Sequence, residues 1–452
     1  MESVDLSMDY SILGAVAIGI VILLVLILRL KLPAFLALLI SSIAVGLLAG
    51  MSPDLLMKTI IDGMGSTLGF VATVVGLGAL FGGILEISGG AQSVAKGMMQ
   101  RFGEGRAPIA MLFSGFLIAI PVFFDVAFII LIPVLYALQQ KTGKSLLYFA
   151  IPLLAGLAIT HSFIPPTPGP IAVADIIGVD LGWVMICGFL VGIPTAIIAG
   201  LVFGKKIGVR IFIEAPRDQE QSAIKSMPSL NTILAIIGLP ILLILLSTFN
   251  KSGLLALDHE GINQAIQFFG HPIVALIIAN LVAWYSLGRF RGYSSEELLD
   301  MSSKSMKPAG IIILLTGAGG VFKQVLINTN AGSMLAQSLS DIGLPILGFA
   351  FLTATLIRLI QGSATVAMIT AAGLVSPLII EGALSNMQLA ALVIAIASGA
   401  SIFSHVNDSG FWLVKEYLGL SEKETFQSWT VMTTLVAIVG FVGAGIIFLL
   451  SS

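Results

Sequence analysis

The chain has 452 residues, 57% of them hydrophobic and only 10% charged, with a mean hydropathy of +1.06. Soluble domains carry about a quarter charged residues, so this balance excludes an ordinary globular enzyme. The net charge of -2 gives no basic surface for nucleic acid, and the lone Cys187 excludes an intrachain disulfide or a cysteine-built metal site. The start of the chain is acidic (Glu2, Asp5, Asp9) where a secretory signal is basic, so no cleavable signal peptide is expected. Apolar runs long enough to cross about 30 Å of hydrocarbon recur throughout, and the chain reads as an all-α, polytopic membrane protein.

Ten full crossings are predicted, at about 11–28, 32–50, 60–85, 145–175, 181–203, 229–249, 268–288, 309–327, 386–414 and 429–450. Two further apolar segments, 108–138 and 343–380, are too long for one upright helix. Each is interrupted at its middle, by Pro121 and Asp125 and by Gln361-Gly362-Ser363. If both segments enter and leave on one side, only Lys58 and Lys251 of the 22 lysines and arginines lie outside, and Lys323 and Arg358 lie within the membrane. Single crossings would put most of the basic residues outside, against the positive-inside rule. Pro108 to Pro121 is about 20 Å of helix, short of a crossing, so both segments are expected to be re-entrant hairpins. Their ends set the sidedness: 141–144 is expected inside and 340–345 outside.

The two halves share an element order: three spans, a hairpin, a broken span and a final span. Leu80-Phe81-x-x-Ile84-Leu85 parallels Val321-Phe322-x-x-Val325-Leu326, and Thr160-His161-Ser162 parallels Ser404-His405-Val406. Five crossings per half is an odd number, so the second half is expected to be inverted, as in secondary transporters. Residues 1–204 form the first repeat, 205–228 a polar cytoplasmic linker, and 229–452 the second repeat.

Four interruptions fall at membrane depth, where unpaired backbone groups cost several kcal/mol unless protein or cavity water satisfies them. The first is Ile120-Pro121-Val122-Phe123-Phe124-Asp125, a proline break beside a lone carboxylate. The second, 160–170, holds four prolines and a glycine within six residues beside His161, Ser162 and Thr167, and is expected to run extended. In the third, Ser363 and Thr365 flank a glycine-led tip about two turns after Arg358, which either faces the site or snorkels to the interface. The fourth is Ser404-His405-Val406-Asn407-Asp408-Ser409-Gly410, almost entirely polar between apolar flanks. Four polar breaks in one chain predict a shared cavity.

Enzyme readings fail on inventory. The four histidines form no His-Glu-x-x-His, and neither Gly-x-Ser-x-Gly nor a Walker sequence is present. No cofactor is expected. Ser162, Thr167, Ser363, Thr365 and Asn407 are the candidate contacts to a substrate anion, with Arg358 or Lys323 balancing its charge. Asp125, His161, His405 and Asp408 are the candidates for a coupled proton, since burial raises carboxylate pKa values and histidine titrates near neutrality.

From Arg29 to Trp429 the sequence resembles the gluconate permease family of bacterial sugar-acid transporters. The resemblance rests on Ser88-Gly89-Gly90-Ala91-Gln92, Ile130-Leu131-Ile132-Pro133, Thr160-His161-x-Phe163-x-Pro165-Pro166-x-Pro168-Gly169-Pro170 and Phe322-Lys323-Gln324-Val325-Leu326. Two longer motifs, Gln361-Gly362-Ser363-Ala364-Thr365-Val366-Ala367 and Ile402-Phe403-Ser404-His405-Val406-Asn407-Asp408-x-Gly410-Phe411-Trp412-Leu413, carry it furthest. It implies uptake of gluconate or a related monoanionic hydroxy acid by proton symport across the inner membrane, with a D-serine permease or a sodium-coupled carboxylate carrier as alternatives. It also implies an ion-transporter scaffold with mobile hairpin domains, elevator-like exchange and a homodimer, with a small organic anion and the lipid bilayer as partners. The first hairpin reads Asp125-Val126-Ala127-Phe128 where gluconate members have Glu-Val-Gly-Phe, and Thr167 stands where a second histidine is common. Both differences bear on substrate identity.

Overall fold

A computed structural model describes residues 10–215, 227–255, 259–329, 331, 344–380, 382–405 and 408–451. Asn407, most of 340–345 and most of the linker lie outside these residues. All regular structure among them is helical. In chain order the helices are α1 (Tyr10–Leu28), α2 (Ala34–Leu48), α3 (Pro53–Ile87), α4 (Gly90–Phe102), α5 (Ala107–Ile118), α6 (Phe124–Thr142), α7 (Leu147–Phe163), α8 (Pro168–Ile177) and α9 (Leu181–Arg210). The second half contributes α10 (Leu230–Lys251), α11 (Glu260–Phe269), α12 (Pro272–Arg291), α13 (Ser295–Asn328), α14 (Ile346–Gln361), α15 (Ala364–Val375), α16 (Asn386–Ser401), α17 (Ser409–Leu418) and α18 (Glu422–Leu450). Eight stretches are long and apolar enough to cross a membrane: α3, α6, α7 with α8, α9, α10, α12, α13 and α18.

The starts follow ordinary capping chemistry. Ser52 caps α3 ahead of Pro53, and Ser294 with Glu297, and Ser385 with Gln388, form capping boxes on α13 and α16. The breaks are where the sequence puts them, with one difference of extent. The second does not run extended over 160–170: α7 continues through His161 to Phe163, and α8 starts at Pro168, leaving only 164–167 outside the helices. Proline is tolerated in a first helical turn because its missing N–H has no partner there anyway, so Pro168 and Pro170 begin a helix. Break one is 119–123, break three only Gly362 and Ser363, and break four 402–408. The second leg of the first predicted hairpin, α6, has 19 residues against 12 for α5, longer than a symmetric hairpin requires.

One body of packed helices forms around α3 and α13, which lie against each other and carry α2 and α12. A second forms around α7, α16 and α18, with α5, α9 and α14 packed on it. The short helices α8 and α15 pack on each other and touch α13 and α16, so they bridge the two bodies. The deepest packing follows from small residues: an added Cβ on Gly115 would lie 2.3 Å from the Leu153 carbonyl, and one on Gly156 2.4 Å from that of Leu112. Backbones of α5 and α7 therefore touch directly.

Candidate functional site

Breaks three and four meet. Gly362 closes α14 in the left-handed conformation (φ +84°), and Ser363 caps α15, its hydroxyl accepting from Val366 N at 3.4 Å. Arg358, one turn earlier, does not snorkel. Its side chain is 5% exposed; Nη1 donates to the Gly362 carbonyl and Nη2 to Asp408 Oδ2, an ion pair between the two breaks. Asp408 is also the cap of α17, with Oδ1 accepting from Gly410 N at 3.0 Å. Its Oδ2 takes a further bond from the Ser404 hydroxyl. That hydroxyl accepts from Trp429 Nε1 at 2.6 Å, and because indole only donates, the Ser404 proton is directed at Asp408. The carboxylate is thus held by a guanidinium, a hydroxyl and a backbone amide. Arg358 Nε is buried without a partner among the described residues, which leaves a donor on a charged group.

Asp125 comes close to this cluster. It lies exposed in the first turn of α6 and is near enough to Asp408 for the two charges to interact. It does not cap α6: the cap is Phe123, without a side-chain bond. Phe124 packs against Trp429, ring centres 5.4 Å apart and tilted by 39°, and through the Trp429–Ser404 bond this ties break one to break four.

Break two joins break one on α3. An added Cβ on Gly82 would lie 2.1 Å from the Pro121 carbonyl, and one on Gly78 3.3 Å from that of Pro166, so these glycines seat both breaks. A void of about 10 Å³ between them is lined by Gly78, Pro121, Phe123, His161 and Thr167 among others. That is room for about one water and far too little for a sugar acid. His161 Nδ1 is buried there without a partner among the described residues, and Thr160 Oγ1, one residue before it, is likewise buried and unpartnered among them. Ser162 accepts from Ser401 Oγ at 3.1 Å, joining α7 to α16, and the Thr167 hydroxyl donates to the Ile164 carbonyl at 2.7 Å within its own break. Thr365 is half-buried just past the Ser363 cap. His405 is half-buried, with Nδ1 2.9 Å from the Phe403 carbonyl.

Lys323 is elsewhere. Its Nζ donates to the Ile176 carbonyl at 2.6 Å, at the far end of α8 from break two. The structure therefore brings Arg358, Asp408, Asp125, Ser404 and Ser363 to one region and leaves Lys323 apart from it.

A cavity of about 1430 Å³ is lined by none of the predicted site residues. It lies between α3, α4, α6 and the start of α13, with Lys96, Glu104, Lys141 and Lys304 among its charged lining. Ile129, Pro133, Ala137 and Lys141 line it at four-residue intervals, one stripe of α6, and the next position back on that stripe is Asp125. The vestibule thus points along α6 toward the ion-pair cluster.

A family model described as GntP family permease matches residues 11–451. The chain belongs to the GntP permease family. It is 40% identical over 439 residues to the low-affinity gluconate transporter of Escherichia coli K12, covering 96% of this chain and 98% of that one. It is 39% identical to the gluconate permease of Pseudomonas aeruginosa and 36% identical to the Gnt-II system L-idonate transporter of E. coli K12, again over at least 95% of both chains. These relatives are transporters and permeases, so this GntP permease is a multi-pass membrane transporter and not an enzyme. Its fold is shared with the YdaH transporter of Alcanivorax borkumensis (TM-score 0.64, 19% identity, 87% and 89% of the two chains) and with MtrF of Neisseria gonorrhoeae (0.65, 16%, 96% and 94%).

Sequence reasoning on this GntP permease missed three things. Asp175 on α8 lies close enough to Lys323 for their charges to interact; a lone carboxylate in the apolar run 171–177 was the available signal. Ser404 and Trp429 were not singled out as partners of Asp408. The vestibule leaves no local signature, because it is built from four separate helices.

Proposed function

We propose that this GntP permease imports gluconate or a closely related monoanionic sugar or hydroxy acid, together with a proton, across the bacterial inner membrane. The observation that carries the reading is the buried Arg358–Asp408 pair between breaks three and four. Arginine suits a carboxylate geometrically, and Arg358 keeps a buried Nε donor with no partner among the described residues. A monoanion that engages Arg358 competes with Asp408. The displaced carboxylate then costs several kcal/mol at membrane depth unless a proton joins it, which couples one proton to one anion. A dicarboxylate would leave a second charge unpaired. Asp125, nearby and exposed, is the proton's route to Asp408; His161 and His405 flank the path. Ser363, Thr365 and Asn407 complete the substrate contacts, with Ser162 and Thr167 shaping the opposite wall.

Alternating access is read as elevator-like, with α5–α6 and α14–α15 as re-entrant hairpins in an inverted repeat, and the protein as a homodimer. Two lengths and one composition support the hairpins of this reading: α5 and α14 span about 18 and 24 Å, short of about 30 Å of hydrocarbon, and the last turn of α6 is polar (Gln139, Gln140, Lys141, Thr142), extending that helix beyond its apolar part. The vestibule carries Lys96, Lys141 and Lys304 and so faces the cytoplasm by the positive-inside rule. Relatives named for gluconate and L-idonate, and one named inner membrane permease YgbN, support the substrate class and the membrane.

Purified protein in proteoliposomes tests the whole reading. Labelled gluconate should accumulate under an inward proton gradient without sodium, and L-idonate should compete where citrate and succinate do not. Accumulation that follows sodium alone, or strong competition by a dicarboxylate, would overturn the coupling or the substrate class respectively. D-serine as the better competitor would replace the sugar acid.

A further inference from the structure

α13 runs for 34 residues, about 50 Å, and its two ends are in opposite conditions. Near its start, Glu297, Asp300, Met301, Lys304 and Ser305 line the open vestibule. Toward its end, Gly319 lies against α15 so closely that an added Cβ would fall 2.8 Å from Ile369, and Ile369 is fully buried. One turn further on, Lys323 Nζ donates to the Ile176 carbonyl at 2.6 Å. Ser376, just past α15, donates its hydroxyl to the same carbonyl at 2.7 Å. Ile176 is the next-to-last residue of α8, where carbonyls lack intrahelical partners and the helix end is negative. Asp175 beside it lies close enough to Lys323 for their charges to interact.

The Ile176 carbonyl therefore gathers Lys323 of α13 and Ser376, just past α15, onto the end of α8, on the side opposite the vestibule. We propose that Lys323, with the Ile176 carbonyl, Ser376 and Asp175, is an external latch: it holds α8 and α15 against α13 while the vestibule is open to the cytoplasm, and its release opens the outer path. The latch rests on the transport reading above but assigns a role to residues remote from the substrate. Ser363 and Ser376 are separated by the length of α15, about 20 Å of helix, so an anion seated at Arg358 does not reach Lys323. A charge-assisted bond in a closed contact is worth enough to shift a two-state population by about 10- to 100-fold when it is removed.

The test uses external labelling of the full chain in a Cys187→Ser background, where the single native thiol is gone. With Ile369→Cys as reporter, an impermeant maleimide added outside should react slowly when Lys323 is present. Lys323→Met should speed that reaction about 10- to 100-fold, and Lys323→Arg should leave it within a few-fold of the starting rate. Met301→Cys, reached from the cytoplasmic side, should label more slowly in Lys323→Met, since the two openings exclude each other. Ser376→Ala removes one donor without touching a charge and should give a smaller acceleration. If Lys323→Met abolishes uptake while Ile369→Cys labelling stays unchanged, Lys323 acts on substrate and the latch is wrong. Failure of the gluconate assay alone would leave the labelling result standing, so the two readings fail separately.

Discussion

The joints of the two halves are closed by different means. Breaks one and two are seated on α3 by glycine, carbonyl against bare Cα, with a water-sized void and a buried His161 Nδ1 that has no partner among the described residues. Breaks three and four are closed by charge: Arg358 and Asp408 pair, and Ser404 and Trp429 hold the carboxylate from behind. Steric seating fixes position but responds little to a ligand. An ion pair is the opposite, because a ligand of the right charge competes with it directly. The joint in the second half is accordingly where an arriving anion changes the energy most.

Five substitutions bear on that contrast, and the greatest effect is predicted for Arg358→Met. It leaves Asp408 ionised without its counter-charge, at a cost of about 3–5 kcal/mol. Thermal stability in detergent should fall and uptake should vanish; the double variant with Asp408→Asn should regain stability but not uptake. If Arg358→Met is as stable as the parent, the pair does not hold the joint. Asp408→Asn alone keeps the shape and the α17 cap but cannot ionise. Accumulation should be lost while exchange of substrate survives, and equal loss of both would assign Asp408 to binding instead.

Gly82→Ala probes the steric joint. Its Cβ would meet backbone at 2.1 Å and should destabilise by about 1–3 kcal/mol, whereas Gly78→Ala, at 3.3 Å, should be nearly tolerated. Equal thermal stability of the two variants would contradict the seating described for α3. Thr365→Val acts on affinity and not on stability: it keeps volume and removes one hydroxyl near Ser363. Apparent affinity for gluconate should fall by roughly five- to 100-fold, about 1–3 kcal/mol, with expression unchanged. An unaltered affinity would move the substrate away from break three.

All four breaks were legible, because proline, glycine and clustered polar residues inside apolar runs have no other cheap explanation. The extent of break two was not: Pro168 and Pro170 look like obstacles in a list of residues, yet they fit the first turn of α8. Family membership was legible from the long motifs around Gly362 and Asp408. The Arg358–Asp408 pair was not, since nothing local connects residues 50 positions apart. The Lys323 contact was not legible for the same reason, its partner being a backbone carbonyl of α8. Side chains that act on backbone from another helix carry no pattern of spacing.

The α3–α13 contact has a mechanical consequence. Gly63 and Gly320 bring these helices backbone to backbone: an added Cβ on Gly63 would lie 2.9 Å from the Gly320 carbonyl, and one on Gly320 2.7 Å from that of Gly63. At such a contact few rotamers exist to be exchanged, so strain there is not relieved by repacking side chains. Pressed by lipid or by a moving neighbour, the two helices respond as one stiff bar. Displacement is then carried by the soft points of the chain, the two-residue joint at Gly362 among them.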